Sequence, residues 1–192
     1  MEKRQGVEQD FTDLDFTKQS EARAQGTPSS KQAATGHEGA AGASEPATNG
    51  SGTSIARRAK NLTPRPPGTK YQLLMIDDDT VLTGIMQKIL SFAGYSVRTA
   101  SNHGEIASEL SGQARPDLII LDGAIGELGG FDILVWLRQQ PTLSAVPVIM
   151  LTAHNARKDV TSGLLGGADG YLSKPCEFVT LNHAIKTVLD IR

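Results

Sequence analysis

The stretch "LLMIDDDTVL", residues 73–82, sets three carboxylates, Asp77, Asp78 and Asp79, directly behind an apolar run. Adjacent like charges repel and resist burial, so a strand that ends in them needs a partner to hold them there. A cation is the obvious candidate. Oxygen-only ligands select a hard ion such as Mg²⁺, which keeps several waters and takes one or two carboxylates together with an anionic substrate. Asp77 and Asp78 fit that role, whereas Asp79, at the start of a helical pattern, suits a helix cap. Further along, Asp122 closes the run "DLIILD", Thr152 follows "VPVIML" and Lys174 follows "DGYLS". A lysine and a hydroxyl beside a metal suit phosphoryl transfer, where catalysis is mostly positioning and neutralisation of the phosphoryl oxygens. A carboxylate can itself be the nucleophile, and Asp122 is the acid best placed for it.

These residues can act together only if the chain brings them to one place. Five short apolar runs, "YQLLMI" 71–76, "YSVRTA" 95–100, "DLIILD" 117–122, "VPVIML" 146–151 and "DGYLS" 169–173, alternate with helix-like stretches. That order predicts βα units and a flavodoxin-like (βα)5 fold: a doubly wound, five-stranded parallel sheet with strand order 2-1-3-4-5. Val81, Leu82, Ile85, Met86, Ile89 and Leu90 fall at helical spacing, as do Ile106 with Leu110, Leu134 with Leu137, and Phe178, Leu181, Ile185, Val188 and Leu189. All are read as core. Ligands of such sheets sit beyond the carboxyl ends of the strands, so Asp77, Asp78, Asp122, Thr152 and Lys174 are expected to share one rim.

Composition limits where folding starts. From Ala22 to Ser54 there is no Val, Ile, Leu, Met, Phe, Tyr or Trp, and Ala, Gly, Ser, Thr and Pro make up 25 of the 33 residues. Such a stretch cannot offset the entropy of ordering, so residues 1–69 are read as a disordered extension and linker, and 70–192 as the domain. Within the extension, "QDFTDLDFTKQ" offers Phe11, Leu14 and Phe16 as a short docking motif at 10–17. The basic segment 55–65 is read as a solvated linker. Residues 70–192 carry ten Lys and Arg against thirteen Asp and Glu, a balance of −3 that does not suit a nucleic-acid surface. No run approaches the roughly 20 apolar residues of a membrane span, and a cytoplasmic location is expected. Cys176 is the sole cysteine, which excludes an internal disulfide and a thiolate cluster.

The motifs "LLMIDDD", "DLIILD", "VIMLTAH" and "GADGYLSKP" together resemble the receiver domain of two-component response regulators, over residues 71–191. The resemblance implies that Asp122 accepts a phosphoryl group from a phosphohistidine on a sensor histidine kinase or phosphotransfer protein. It implies Mg²⁺ bound by Asp78, Asp122 and the backbone carbonyl of Ala124, with Asp77 acting largely through water. Lys174 would contact the phosphoryl oxygens, Thr152 would reorient toward them and Tyr171 would swing inward as the readout. By the same resemblance, Ala124 and His154 would occupy positions that influence phosphoryl lifetime. The signal would be a population shift on the surface of the fourth helix, fifth strand and fifth helix, read by a protein target. No turnover of an external substrate, no direct DNA binding and no membrane insertion are expected, and phosphorylation-dependent homodimerisation is left open. With no room for an output domain beside the receiver, a single-domain regulator is expected. One departure is the loop "GAIGELGGF", with glycines at 123, 126, 129 and 130, where the family usually has a proline four residues past the acceptor; glycine there frees the turn.

Two rival readings share these residues. Asp77, Asp79 and Val81 also fit D-x-D-x-[TV], the nucleophile motif of haloacid-dehalogenase-like phosphatases, with Thr152 and Lys174 as that family's second and third motifs. That reading leaves Asp122 without a task and lacks a strong acidic motif after the lysine, where only Glu177 and Asp190 remain. The other rival is a receiver-shaped interaction module that is never phosphorylated.

Overall fold

Successive side chains of a strand point to opposite faces, so an apolar run with helices on both sides should feed two separate cores. The computed structural model describes residues 54–57, 59, 62, 66, 68–112, 114–126, 128–153 and 166–191, and shows that division. On β2 (Gln72–Ile76), Leu74 and Ile76 join one core while Leu73 and Met75 join the other. The following helix α1 (Thr80–Phe92) leads to β3 (Ser96–Ala100), and α2 (His103–Gly112) leads to β4 (Leu118–Asp122). After β4 come a two-strand ladder, β5 (Ala124–Ile125) with β6 (Leu128–Gly129), then α3 (Gly130–Gln139), β7 (Val148–Ala153), β8 (Gly170–Lys174) and α4 (Phe178–Leu189).

Helices α2 and α3 cover one face through Ile106, Ile133, Leu134 and Leu137; α1 and α4 cover the other through Met86, Leu90, Leu181, Ile185 and Val188. Each such side chain removed from water contributes about 1.5–3 kcal/mol. The large strand ladders run β3-β2-β4-β7-β8, all parallel, which is the expected order 2-1-3-4-5 counted along the chain. Because the chain enters in the middle, steps to β3 and then crosses back to β4, the topological switch lies between β2 and β4. Asp77 and Asp122 follow or end those two strands, at the mouth of the switch crevice.

Three expectations change. A sixth strand, β1 (Ser54–Ala56), pairs antiparallel with β8 at the sheet edge, so ordered structure begins inside the stretch read as linker. The α1 stripe is narrower than its six apolar residues suggest: Val81 is 71% and Ile85 51% exposed, because a helix lays only one stripe on a sheet and Thr83, Met86 and Leu90 occupy it. Thr152 lies within β7 and Lys174 ends β8, rather than following them. The fourth expected helix, His154 and the motif at 10–17 lie outside the described residues. Among the described residues no helix is long and apolar enough to cross a membrane.

Candidate functional site

Each of the three consecutive carboxylates is held by a different partner. Asp77, 1% exposed, accepts the Asp79 backbone N–H on Oδ1 at 3.0 Å and the Lys174 ammonium on Oδ2 at 2.6 Å. Asp78 is exposed and accepts the Gly126 N–H at 2.9 Å. Asp79 turns away to cap α1, its Oδ1 accepting from Val81 N at 3.1 Å and Leu82 N at 2.9 Å. The cluster is therefore stabilised in part by the protein itself, through one ammonium and backbone amides.

Asp122 completes the group. Its carboxylate lies 3.0 Å from Lys174 Nζ, and one oxygen from each of Asp77, Asp78 and Asp122 can be chosen so that all three lie within 4.8 Å of one another. Lys174 thus bridges the two buried acids. Three carboxylates against one ammonium leave an excess of negative charge, an all-oxygen donor set and one exposed member, which together fit a hard divalent cation.

Burial raises the Asp122 pKa above its ordinary value, and the Asp77 charge adds to this; the hydrogen bond and charge of Lys174 and the Gly123 amide oppose it without cancelling it. For Lys174, burial by itself would lower the pKa. The hydrogen bonds to Asp77 and Asp122, with their charges, outweigh it and raise the value. The lysine is accordingly a fixed cation at neutral pH.

The glycine-rich loop is tied down, contrary to the freedom expected of it. Residues 124–125 pair with 128–129 in the β5–β6 ladder, and Gly126, at φ +55°, aims its N–H at Asp78. A Cβ on Gly130 would collide with the Asp122 carbonyl oxygen, and the Gly130 N–H donates to the Gly123 carbonyl at 2.9 Å. A Cβ on Gly123 would lie 2.9 Å from Thr152 Oγ1 and 3.0 Å from Thr152 Cβ. These two glycines let α3 and the Thr152 hydroxyl approach the end of β4 closely. Local sequence pattern gave no signal for them, since their need arises from contacts between segments distant in the chain.

Of the other expected residues, Thr152 is buried at the rim beside Gly123, and its backbone pairs with Ser173. Ala124 is exposed at the start of β5, two residues past Asp122. Tyr171 is 1% exposed within the α2–α3 core, so it already occupies an inward position. The Lys174–Pro175 peptide bond is cis.

Comparison with known proteins bears on the family and the fold. The response regulator receiver domain family matches residues 73–186. The alkaline phosphatase synthesis transcriptional regulatory protein PhoP of Bacillus subtilis is 36% identical over 118 residues, which are 62% of this chain and 48% of that protein. The DNA-binding dual master transcriptional regulator RpaA of Synechocystis is 34% identical, again covering 62% of this chain and 48% of its own length. The chain spans about half the length of these curated relatives. Among solved structures, the chemotaxis protein CheY4 of Vibrio cholerae superposes with a TM-score of 0.58 at 30% identity, over 63% of this chain and 100% of that one. A response regulator protein from Burkholderia pseudomallei, solved with a phosphorylated aspartic acid, a calcium ion and citrate, gives a TM-score of 0.55 at 28% identity over 62% of this chain and 68% of that one. With the family matched across 73–186, more than half of its length, this chain belongs to the response regulator receiver domain family.

Proposed function

We propose that Asp122 accepts a phosphoryl group from a phosphohistidine of a partner kinase or phosphotransfer protein, in a reaction that depends on Mg²⁺. The observation that carries this reading is the Lys174 bridge: one ammonium contacts both Asp77 and Asp122, beside a third carboxylate within ligand distance. An Asp122 carboxylate oxygen would attack phosphorus as the phosphorus–nitrogen bond of the donor breaks, leaving the imidazole with the bonding pair. Lys174 stands where it can neutralise an incoming equatorial oxygen, and the Thr152 hydroxyl, close to Gly123, can donate to another. Asp78, Asp122 and the Ala124 carbonyl would hold Mg²⁺, with Asp77 reaching it through water. Bound there, the ion would offset the negative charge that gathers as phosphate meets three carboxylates.

In this reading the reorientation of Thr152 is the switch, read out beside a Tyr171 that is already inward, and Ala124 and His154 tune the lifetime of the acyl phosphate. The downstream partner is a protein, since residues 70–192 carry an acidic balance rather than a basic one. A cytoplasmic site of action belongs to the same reading. Incubation with acetyl phosphate and Mg²⁺ tests it: stoichiometric phosphoryl incorporation that chelator prevents is the expected result. Continuous hydrolysis of small phosphate esters without labelling of Asp122 would instead favour phosphatase chemistry at this rim.

Competition between protons and the metal gives a further expected result. The ion would bind the ionised Asp122, whose pKa is raised by burial despite Lys174, so Mg²⁺ affinity should weaken at a higher pH than an ordinary carboxylate would allow. Below that pKa the fall should approach about tenfold per pH unit for the one proton displaced. The sign for folding is the opposite. The folded state holds this proton more tightly than the unfolded one, so without metal the stability contribution falls as pH rises from the ordinary Asp value of 3.8 through the raised one. Titration of Mg²⁺ followed by intrinsic fluorescence at several pH values, with unfolding in chelator alongside, checks both.

A further inference from the structure

The edge of the sheet carries a feature that the phosphoryl chemistry does not use. Strand β8 ends in Lys174, and its outer edge is covered by the chain's own preceding segment. Ser54, Ile55 and Ala56 pair antiparallel with Leu172, Tyr171 and Gly170. The Arg57 amide donates to the Asp169 carbonyl at 2.9 Å, and its guanidinium donates to the Ala168 carbonyl at 3.0 Å. The Ala59 amide donates to Val188 O at 3.0 Å, satisfying one of the last carbonyls of α4, and Ala59 and Leu62 pack on the α1–α4 core.

This attachment is slight. A three-residue strand with one neighbour is the least secured element of the sheet. It is also attached to the strand that must respond when Asp122 changes. Lys174 lies two residues beyond Leu172 on unbroken β8, and it now contacts Asp122 Oδ2 at 3.0 Å. A phosphoryl group on that carboxylate sets new oxygens beside Lys174, so the pair of contacts that Lys174 now makes has to be shared with them or remade. On the inner side β8 is fixed to β7 along five residue pairs, and Arg138 secures the loop before it through Gly167 O at 2.9 Å. Any adjustment of β8 therefore strains its outer ladder first.

We propose that residues 54–57, with Ala59 and Leu62, form a strap, docked on β8 while Asp122 is unmodified and released when Asp122 carries a phosphoryl group. The inference rests on Asp122 being the acceptor. Strap release would carry the state of the rim to the part of the chain that precedes the domain, without any large movement in the core. Because coupling is reciprocal, a loosened strap must in turn favour the phosphorylated form of the site.

The test uses the full chain and beryllofluoride with Mg²⁺ as the phosphoryl mimic, with binding itself read by fluorine NMR. Amide hydrogen exchange at Arg57 and Ala59 should accelerate by about tenfold or more when beryllofluoride binds, while Leu73 to Ile76 stay protected. Bound beryllofluoride with unchanged exchange at Arg57 and Ala59 overturns the strap and leaves the acceptor reading intact. A failure to bind beryllofluoride overturns the acceptor reading and the strap together. Arg57→Ala supplies the second arm: it should speed exchange at Ala59 without the mimic and tighten beryllofluoride binding by a matching factor of about three or more. Equal affinity in the variant and the parent, with the strap demonstrably loosened, sinks the coupling.

Discussion

Asp122→Asn is expected to lower Mg²⁺-dependent phosphoryl incorporation by at least about 100-fold while leaving the domain folded. The amide keeps the shape of the carboxyl group, and its oxygen can still accept from Lys174, which sits 3.0 Å from Asp122 Oδ2. What it loses is the anionic nucleophile and one of the three charges that could hold a cation. Burial disfavours the ionised form of Asp122, and the neighbouring Asp77 charge disfavours it further. Removing that charge should therefore leave the metal-free variant at least as stable as the parent at neutral pH. Acetyl phosphate labelling and thermal unfolding in chelator measure the two halves. Retained labelling would move the acceptor elsewhere; a variant that unfolds would show the carboxylate to be structural.

Gly130→Ala is expected to destabilise the domain by about 3 kcal/mol or more and to reduce labelling as well. The added methyl would meet the Asp122 carbonyl oxygen, with the Asp122 carbonyl carbon at 2.9 Å and Gly123 Cα at 3.0 Å. All three are backbone atoms, so no rotamer relieves the contact. Helix α3 would have to withdraw from β4, stretching the Gly130–Gly123 hydrogen bond and displacing the acceptor itself. Gly84→Ala is the control. It lies inside α1 with nothing within 4 Å of an added Cβ, and helix propensity alone should stabilise it by about 0.5–1 kcal/mol. Urea unfolding of the pair separates close approach from a general effect of the added methyl.

The rim was legible because its residues end apolar runs, and strand ends are where a doubly wound sheet gathers its ligands. Asp77, Asp78, Asp122 and Lys174 could be brought together on paper from that rule, and Asp79 set aside as a cap from its place before a helix. What escaped the reading was whatever depends on packing between distant segments. Val81 and Ile85 carry the apolar signature of a core, yet both are exposed, and the buried residues of the helix are Thr83, Met86 and Leu90. The glycine-rich loop looked loose because backbone pairing from 124 to 129 and the collision awaiting a side chain at 130 leave no mark in local pattern. Strand β1 was missed for a related reason. Ser54, Ile55 and Ala56 sit in a polar, basic stretch with no alternation, and they form a strand because β8 offers an open edge.

The most direct test is to trap the modified side chain. Borohydride reduces an acyl phosphate to an alcohol, so treating the acetyl phosphate-labelled protein and sequencing its peptides by mass spectrometry should mark residue 122 alone, and only when Mg²⁺ was present. A mark on Asp77, or a fully labelled protein with Asp122 intact, would contradict the assignment of the nucleophile on which the rest is built.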